Sequence, residues 1–432
     1  MVFETNASTN SAIWADGMLL ARMACEKDGA KVHIFFEFAN FWKKKDEKLV
    51  RVADSVYLSA LICKTILFMI ETHHDYFCVI LAGGKGRRLW PCSREQQPKQ
   101  FVDFFGTGRT QLQQTFDRFA RIMPIENIFV STNRSYAHYV YEQLPELPSE
   151  NVLSEPIHRN TAPSVAWAAY RISHICADAK VIVTPSDQAV FKEEAFVSNV
   201  RECFEIVGKN NWVIALGVKP TRPEPGYGYI QLGDETGIKD LYTIQSFTEK
   251  PEREFARMFM ESGEFYWNTG IFLSNVRYLV ECLRKVLPVV LRNIDQEGQH
   301  VTHEEELTFI EENFSKFPNL STDYGILERS ENVYVQKGDF GWADLGTWHS
   351  IYEALSRVDD DNVVIDSRVV MEDCKNNIVK LPKNHLGVIN GLDGYIVAEK
   401  DNVLLICKKG DSSALIRKYV SEVQIQYGDD FV

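Results

Sequence analysis

A glycine-rich loop with two cations nearby is the stretch of this sequence best suited to binding an anion. Residues 83–88 read GGKGRR and follow an apolar run at 76–81, whose length and composition predict a buried parallel strand. The glycines leave room for backbone N–H groups to approach phosphate oxygens, and Arg88 and Lys99 supply fixed positive charge. The loop therefore predicts a polyphosphate site, although a simple glycine turn with surface charge has the same pattern.

Two aspartates in separate parts of the chain are candidates for binding a divalent cation. Asp187 follows a predicted strand in the segment TPSDQ, and Asp344 lies far along the chain in GWADLGTW. A carboxylate at the carboxyl end of a strand is well placed to hold Mg2+ against a triphosphate, because that ion binds one or two carboxylates together with phosphate oxygens. Taken singly, an aspartate in such a position is more often a helix cap or a turn residue. The residues alone leave both interpretations open.

Three further segments carry polar residues next to predicted turns or strand ends. The segment EPIHRNTAP contains Asn160 and Thr161, which are natural N-cap residues for the helix that follows. The turn PGYGY would bring backbone close to a flat sugar ring, and FTEKP places Glu249 beside Lys250, although such neighbours are commonly only a solvated surface pair. Asn268 in YWNTGIF would form a hydrogen bond with a hydroxyl group of a ligand or with buried backbone groups. Ligand binding and a purely structural role both remain open for these segments.

Together these motifs resemble those of the sugar-phosphate nucleotidyltransferases, in the same order along the chain. The loop GGKGRRLWP with PKQF is similar to the family's GGxGxRLxP and PKxF, and RNTAP, FTEKP, WNTGIF and GWADLGTW are similar to further family motifs. DYGILE resembles another family segment, to which we assign no chemistry. The form with Trp90 and PKQF resembles the guanylyltransferase branch, and the resemblance covers residues 76 to about 420. It implies an Mg2+-dependent enzyme that converts GTP and α-D-mannose 1-phosphate to GDP-mannose and pyrophosphate.

The resemblance also implies a role for each site residue. The nucleotide would be bound by Gly83, Gly84, Gly86, Arg88, Lys99, Glu155, Arg159, Asn160 and Thr161. The sugar phosphate would be bound by Gly228, Glu249, Lys250 and Asn268, and the metal by Asp187 and Asp344. The catalytic residues would be Arg88, Lys99, Asp187 and Lys250. This chain departs from the family pattern at Gln188, because the family often has His after PSD. We expect this difference to alter the properties of the site without abolishing activity.

Two other functions are compatible with parts of the sequence. The same chemistry would work on another substrate pair, such as glucose 1-phosphate with UTP or dTTP, but RNTAP, Trp90 and WNTGIF favour the guanylyltransferase. A non-catalytic sensor of sugar nucleotides would retain the pocket, but it would not need the complete set of charged residues. No Ser-His-Asp or Cys-His arrangement stands out in the sequence. None is required, because a sugar phosphate is ionised near neutral pH and can attack without a general base.

The composition is that of an ordinary globular protein and limits the partners to be expected. A formal net charge of -13 over 432 residues argues against a general nucleic-acid surface. The nine cysteines form no C-x-x-C pair, which predicts reduced thiols in the cytoplasm rather than a zinc site or a disulfide framework. The apolar run at 56–70 is interrupted by Lys64 and is shorter than the roughly 20 apolar residues that a membrane span needs. We expect no membrane or nucleic-acid partner, and a homodimer is compatible with the sequence.

From residue 76 onward, short apolar strands alternate with helical patterns. Strands are predicted at 128–131, 152–154, 180–184 and 212–216, and helices at 111–123, 135–144, 163–177 and 193–207. The alternation predicts an α/β fold with a mixed, mostly parallel sheet and helices on both faces, and the resemblance implies its Rossmann-like, GT-A-like nucleotidyltransferase form. Ligands of such sheets bind beyond the carboxyl ends of the strands, which is where the glycine loop would lie.

Three parts are predicted along the chain: an N-terminal extension at 1–75, a catalytic domain at 76–358 and a small β-rich domain at 359–432. The last part is indicated by a composition shift at 359–361, followed by short alternating strands at 363–365, 388–389, 395–398 and 403–407. The first 75 residues lack this alternation. We expect residues 1–68 to be dispensable, so that a protein starting at Met69 folds and keeps full activity.

Overall fold

A nine-stranded mixed sheet forms the centre of the fold in the computed structural model, which describes residues 73–288, 302–358, 360–410 and 412–432. The strands up to residue 344 are β1 (Tyr76–Leu81), β2 (Ile128–Asn133), β3 (Val152–Glu155), β4 (Lys180–Pro185), β5 (Gln188–Val190), β6 (Val213–Val218), β7 (Gly228–Glu235), β8 (Leu241–Glu249), β9 (Phe265–Asn275), β10 (Val333–Gly338) and β11 (Trp342–Asp344). Within the sheet the order is β3-β2-β1-β4-β9-β6-β10-β8-β7, and the short strands β5 and β11 pair separately.

The part of the sheet around β1 is parallel. β1 pairs with β2 on one side and with β4 on the other, so that Ile80 lies opposite Val130 and Thr184. β9 then runs antiparallel to both β4 and β6. Because the carboxyl ends of parallel strands lie at one edge of a sheet, the segments that follow β1, β3 and β4 meet there. The predicted mixed α/β sheet is confirmed. Its antiparallel pairs begin where β4 meets β9, on the side of β4 that faces away from β1.

Helices cover both faces of this sheet. They are α1 (Gln111–Phe119), α2 (Ala137–Gln143), α3 (Thr161–Ile175), α4 (Glu193–Val207), α5 (Arg253–Ser262), α6 (Val276–Val286), α7 (His303–Asn313) and α8 (Trp348–Leu355). Cys78 and Ile80 of β1 belong to one apolar core together with Phe204 of α4. Val79 belongs to a second core together with Trp167 of α3. Successive residues of β1 therefore point into opposite apolar layers, which is why this strand is an unbroken apolar run.

A stack of short strands follows residue 358. It contains β12 (Val363–Val364), β13 (Arg368–Glu372), β14 (Ile378–Lys380), β15 (Leu386–Asn390), β16 (Tyr395–Lys400) and β17 (Val403–Lys408), and helix α9 (Ser412–Tyr427) comes after it. β12, β14 and β16 pair in parallel, as do β13 and β15, whereas β17 runs antiparallel to β16. Buried side chains of the stack, such as Ile378 and Ile396, share a third core with Leu89, Trp90 and Trp348. The predicted β-rich C-terminal region is confirmed, and it packs against the segment that follows the glycine loop.

The predicted elements agree with the structure apart from shifts at their ends. The helix expected at 163–177 begins at Thr161 because Asn160 caps it, and the helix expected at 111–123 ends at Phe119. The proposed start at Met69 lies outside the described residues, as does the extension up to residue 72, and the division of the chain into three parts stays a prediction. Among the described residues, no helix is both long enough and apolar enough to cross a membrane.

Candidate active site

The glycine loop leaves the carboxyl end of β1 and is held by a side chain of the PKQF segment. Gln100 Nε2 donates hydrogen bonds to the carbonyl oxygens of Ala82 at 2.9 Å and Gly84 at 2.8 Å. Gly86 has a φ of 64°, and a Cβ there would lie 3.0 Å from the backbone nitrogen of Lys99. A Cβ on Gly84, in contrast, would meet no described atom within 4 Å. Gly86 is therefore required by the fold, whereas Gly84 faces open space that a ligand can enter.

Four charged side chains that are distant in sequence meet beside this loop. Lys99 Nζ forms an ion pair with a carboxylate oxygen of Asp187, and the lysine side chain is only 6% exposed. Asp344 ends β11, which pairs with β5, the strand that directly follows Asp187. A Cβ on Gly346 would lie 2.9 Å from Asp344 Oδ1 and 3.0 Å from Arg88 Nη2, so both side chains border the same point. The structure thus brings together the four residues predicted to act on the triphosphate and the metal, a set that we call the charge cluster.

The electrostatics of the charge cluster suit a bound cation. Burial raises the pKa of Asp344; Lys99 and Arg88 oppose this shift, and the nearby Asp187 adds to it. The charge of Asp187 acts on Asp344, and a divalent cation would relieve the repulsion between the two carboxylates. Within the described ranges, no group of three or more His, Cys, Asp or Glu side chains could hold a metal ion by itself. A divalent ion here would take two protein carboxylates and complete its coordination with phosphate oxygens and water, as Mg2+ commonly does.

The EPIHRNTAP loop lies beside the first glycine of the glycine loop. Glu155, at the end of β3, accepts hydrogen bonds from the hydroxyl groups of Ser131 at 2.7 Å and Ser164 at 2.5 Å. Burial raises the pKa of Glu155 to about 7. In the middle of the loop, His158 Nδ1 lies 4.0 Å from where a Cβ on Gly83 would be. The loop therefore borders the space next to the first glycine.

The residues that start α3 have clear structural contacts of their own. Asn160 caps the helix by accepting from the N–H of Thr161 at 3.0 Å, and its φ of 63° and ψ of -169° fall in a region normally reserved for glycine. Thr161 Oγ1 accepts a hydrogen bond from the N–H of Thr322 at 2.9 Å. Arg159 donates to the carbonyl oxygen of Ser315, a contact outside the charge cluster. Backbone strain of the kind seen at Asn160 is common at ligand sites. Arg159, in contrast, does not lie with the other predicted cations, because it binds the segment around Ser315.

A second cluster forms around the residues predicted to bind the sugar phosphate. Glu249 ends β8 and forms an ion pair with Lys250 Nζ. Gly228 begins β7 opposite Glu249, and a Cβ there would lie 2.5 Å from Glu249 Oε2 and 3.3 Å from Asn268 Cβ. Asn268 Nδ2 donates a hydrogen bond to Asp323 Oδ1 at 2.8 Å. The four predicted residues lie together, and the absence of a side chain at Gly228 leaves room for the carboxylate of Glu249. We call this group the sugar cluster.

Tyr227 connects the charge cluster to the sugar cluster, and Gln188 connects two of the motifs that carry them. The hydroxyl of Tyr227 donates to the carbonyl oxygen of Asp344 at 3.3 Å, and the carbonyl oxygen of Tyr227 accepts from the N–H of Lys250 at 3.1 Å. The amide of Gln188 donates to the carbonyl oxygen of Thr269 at 2.5 Å and accepts from a tryptophan Nε1 of β11 at 2.9 Å. The residue that departs from the family's histidine thus bridges two motifs, and both clusters belong to one hydrogen-bond network.

Three residues that shape the site are not apparent from the sequence. Gln100 and Tyr227 lie inside the PKQF and PGYGY motifs, so a polar residue within a recognised motif was the available signal for them. Asp323 lies in DYGILE, a segment whose letters suggest no chemistry. Its role depends on a contact with Asn268, which is 55 residues away along the chain. A contact between two residues so far apart in the sequence cannot be predicted from local sequence patterns.

Backbone groups near the end of the chain hold the segment that follows the glycine loop. Trp90 Nε1 donates to the carbonyl oxygen of Phe431 at 2.7 Å, and Arg94 Nη1 donates to that of Asp430 at 3.0 Å. Arg94 Nη2 also donates to the carbonyl oxygen of Lys400 at 2.9 Å. The C-terminal region therefore supports the stretch that joins the two predicted phosphate-binding cations.

Comparison with known proteins identifies the family to which the chain belongs. Residues 77–361, which include both clusters, match the family model described as nucleotidyl transferase. The xanthan biosynthesis protein XanB of Xanthomonas campestris pv. campestris is 33% identical over 354 residues, which cover 81% of this chain and 73% of that protein. The mannose-1-phosphate guanylyltransferase ManC of Salmonella typhimurium is 35% identical over 347 residues, which cover 78% of this chain and 71% of that protein.

A solved structure shares the fold over nearly its whole length. It is the crystal structure of a protein described as mannose-1-phosphate geranyltransferase from Thermus thermophilus, which is 30% identical. The match has a TM-score of 0.71 and covers 81% of this chain and 99% of that chain. Sequence motifs, relatives and fold all agree with one another. The chain therefore belongs to the nucleotidyl transferase family of enzymes.

Proposed function

We propose that this enzyme is a mannose-1-phosphate guanylyltransferase, which transfers the guanylyl group of GTP to α-D-mannose 1-phosphate and releases pyrophosphate. The observation that carries the proposal is the convergence of Arg88, Lys99, Asp187 and Asp344 beside an open glycine loop. Cations and carboxylates arranged in this way suit a metal-bound triphosphate. The resemblance of RNTAP and WNTGIF to guanylyltransferase motifs, and the similarity to the Salmonella relative named above, support the choice of substrates.

The reaction needs alignment and charge neutralisation rather than a general base. An ionised oxygen of mannose 1-phosphate attacks the α-phosphorus of GTP, the bond between that phosphorus and the oxygen bridging to the β-phosphate breaks, and pyrophosphate leaves. Arg88 and Lys99 neutralise charge on the triphosphate, while Lys250 directs the sugar phosphate. Lys250 suits this task because its side chain is 63% exposed, whereas that of its partner Glu249 is 14% exposed. The ammonium group can therefore leave the ion pair to meet a ligand.

The charge cluster fits a divalent ion, which this family typically uses, and we propose Mg2+. Asp187 and Asp344 would hold it, and when bound it would supply positive charge that neutralises the phosphate groups. Lys99 already lies against Asp187. Lys99 would therefore act on the same phosphate groups as the ion that the two aspartates would hold.

The remaining assignments complete the proposal. The nucleotide would be bound by backbone groups of Gly83, Gly84 and Gly86 and by the loop residues Glu155, Arg159, Asn160 and Thr161, while Gly228, Glu249 and Asn268 would bind the hexose. The scattered cysteines, which form no C-x-x-C pair, support a reducing compartment such as the cytoplasm. A homodimer without nucleic-acid or membrane partners stays a prediction.

A pyrophosphate-release assay tests the proposed function. GTP, ATP, UTP and dTTP would each be combined with mannose 1-phosphate or glucose 1-phosphate, with and without Mg2+. We expect release chiefly from GTP with mannose 1-phosphate, and only when the divalent ion is present. Release from UTP or dTTP with glucose 1-phosphate would instead establish the rival substrate pair. Binding of a sugar nucleotide without release in any combination would establish the non-catalytic sensor.

A further inference from the structure

The segment between α7 and β10 carries a carboxylate that the mechanism above does not use. Asp323 begins a short π-helix, Asp323–Leu327, in which the carbonyl oxygen of Asp323 accepts from the N–H of Glu328 at 3.0 Å. Helices of this kind are rare and are often found at functional sites. We propose that Asp323 is a positioning residue of the sugar cluster that fixes the amide of Asn268 toward the hexose. This inference rests on the proposed function.

The hydrogen bonds of Asn268 allow only one orientation of its amide. Nδ2 donates to Asp323 Oδ1 at 2.8 Å, and Oδ1 accepts from the N–H of Gly270 at 3.1 Å. A carboxylate only accepts and a backbone N–H only donates, so a flipped amide would lose both bonds. Nδ2 carries a second N–H, which we assign to a hydroxyl group of the sugar. Asp323 thus determines that Asn268 presents a donor to the ligand.

The negative charges around Asp323 favour a ligand that presents hydrogen-bond donors to this side of the sugar cluster. Burial raises the pKa of Asp323 and the carboxylate of Glu249 raises it further, while the hydrogen bond from Asn268 and the charge of Lys250 oppose these shifts. Asp323 also retains partial exposure to solvent. Two carboxylates on one side of a site gain most from neighbouring N–H and O–H donors. Hexose hydroxyl groups are such donors, so the arrangement suits a sugar better than a second anion.

The segment around Asp323 is anchored separately on the nucleotide side. The N–H of Thr322 donates to Thr161 Oγ1 at 2.9 Å, and the N–H of Ala162 donates to the carbonyl oxygen of Leu320 at 2.9 Å. These bonds join the segment to the start of α3 without using the Asp323 side chain. Removing the Asp323 carboxylate should therefore disturb the sugar cluster and leave the nucleotide loop in place.

Steady-state kinetics of the full-length protein with GTP and mannose 1-phosphate test this inference. Asp323→Ala should raise the KM for mannose 1-phosphate about tenfold, the effect of losing one charge-assisted hydrogen bond, while the KM for GTP changes less than about twofold. Asp323→Asn retains an acceptor oxygen for Asn268 and should restore much of the loss. Glu331→Gln, at an exposed carboxylate shortly after the π-helix, is the matched control and should keep the wild-type values.

A double-mutant cycle with Asn268→Ala shows whether Asp323 acts through Asn268. In the Asn268→Ala protein, Asp323→Ala should have little further effect on kcat/KM for mannose 1-phosphate. Additive losses, or equal changes in both KM values, would overturn the inference. If Asp323→Ala does not fold, the exchange Asp323→Asn with Asn268→Asp serves instead. It keeps the side-chain bond but moves the amide, so an unchanged KM for mannose 1-phosphate would overturn the inference.

Failure of the inference and failure of the proposed function are distinguishable in these experiments. A wild-type protein that does not use GTP with mannose 1-phosphate refutes the proposed function. A wild-type protein that does, but whose Asp323→Ala variant keeps its KM for mannose 1-phosphate, refutes only the role of Asp323.

Discussion

The charge cluster and the sugar cluster differ in how firmly their lysines are held. Lys99 is 6% exposed and pairs with Asp187, which is 25% exposed, whereas Lys250 of the sugar cluster is 63% exposed. Breaking a buried ion pair leaves an uncompensated charge and is costly, while exposed pairs contribute little and exchange easily. The side that would bind the triphosphate is therefore pre-formed, and the side that would bind the sugar phosphate keeps an adjustable cation.

The two clusters also differ in what supports them. The sugar cluster is built on β7, β8 and β9, which are neighbours in the sheet. The glycine loop and the segment after it depend on Gln100 and on carbonyl groups more than 300 residues away. Substitutions on the nucleotide side should therefore reduce turnover as a whole, and those on the sugar side should act selectively on the sugar phosphate.

Asp187→Asn should have the largest effect, because it removes a proposed metal ligand and the partner of a buried lysine. We expect kcat to fall by about a hundred- to a thousandfold. Pyrophosphate release measured against Mg2+ concentration checks this expectation. Asp339→Asn is the matched control, since its carboxylate is 91% exposed and pairs with an exposed lysine. Near-normal turnover of Asp187→Asn would contradict the assignment of the charge cluster.

The stability of the nucleotide side should depend on pH through Glu155. Burial raises its pKa from 4.5 to about 7, so the folded chain favours the neutral carboxyl group. Its contribution to the free energy of unfolding is complete below about pH 4.5 and is lost as the pH rises to about 7, a change of about 3 kcal/mol. Glu155→Gln keeps a hydrogen-bond acceptor for Ser131 and Ser164. It should remove this pH-dependent contribution to the free energy of unfolding.

Chemical denaturation at pH 5 and pH 8 measures the effect of Glu155→Gln. The wild-type protein should lose more stability between the two pH values than the variant does. Identical losses in both proteins would show that this carboxyl group does not titrate in the folded chain over that range.

Lys250→Ala should act on one substrate only. The loss of the ammonium group should lower kcat/KM for mannose 1-phosphate about thirtyfold, while the KM for GTP stays within about twofold. Initial rates with each substrate varied in turn separate the two effects. Lys239→Ala, at a side chain that is 91% exposed, is the matched control. A comparable rise in the KM for GTP would show that the two clusters do not act separately.

Arg94→Ala should have the smallest effect, and it should appear on the nucleotide side. The variant loses hydrogen bonds to the carbonyl oxygens of Asp430 and Lys400, so the segment between the two phosphate-binding cations should be less firmly held. We expect the KM for GTP to rise about fivefold and that for mannose 1-phosphate to change little. Arg121→Ala, at an exposed ion pair with Glu194, is the control. Loss confined to mannose 1-phosphate would contradict this account of the support.

The family and the fold class could be predicted because their signals are local. The apolar run of β1 is buried on both faces, and Gly86 is required by its positive φ and its contact with Lys99, so both are visible as residue types at fixed spacing. The contributions of Asp323 and Tyr227 could not be predicted, because each depends on a partner brought close only by the sheet order. Arg159 shows a different limit of sequence analysis. Its motif is recognisable, but the motif does not reveal that the arginine binds a carbonyl group of another segment.

The bonds from Trp90 to Phe431 and from Arg94 to Asp430 also set the order in which a newly made chain can become active. These partners are 341 and 336 residues apart, a distance that takes roughly 20 to 70 s to translate at about 5 to 20 residues per second. During that interval the early strands can emerge and pair while the glycine loop still lacks its distal support. A nascent chain should therefore bind nucleotide poorly until Asp430 and Phe431 have left the ribosome.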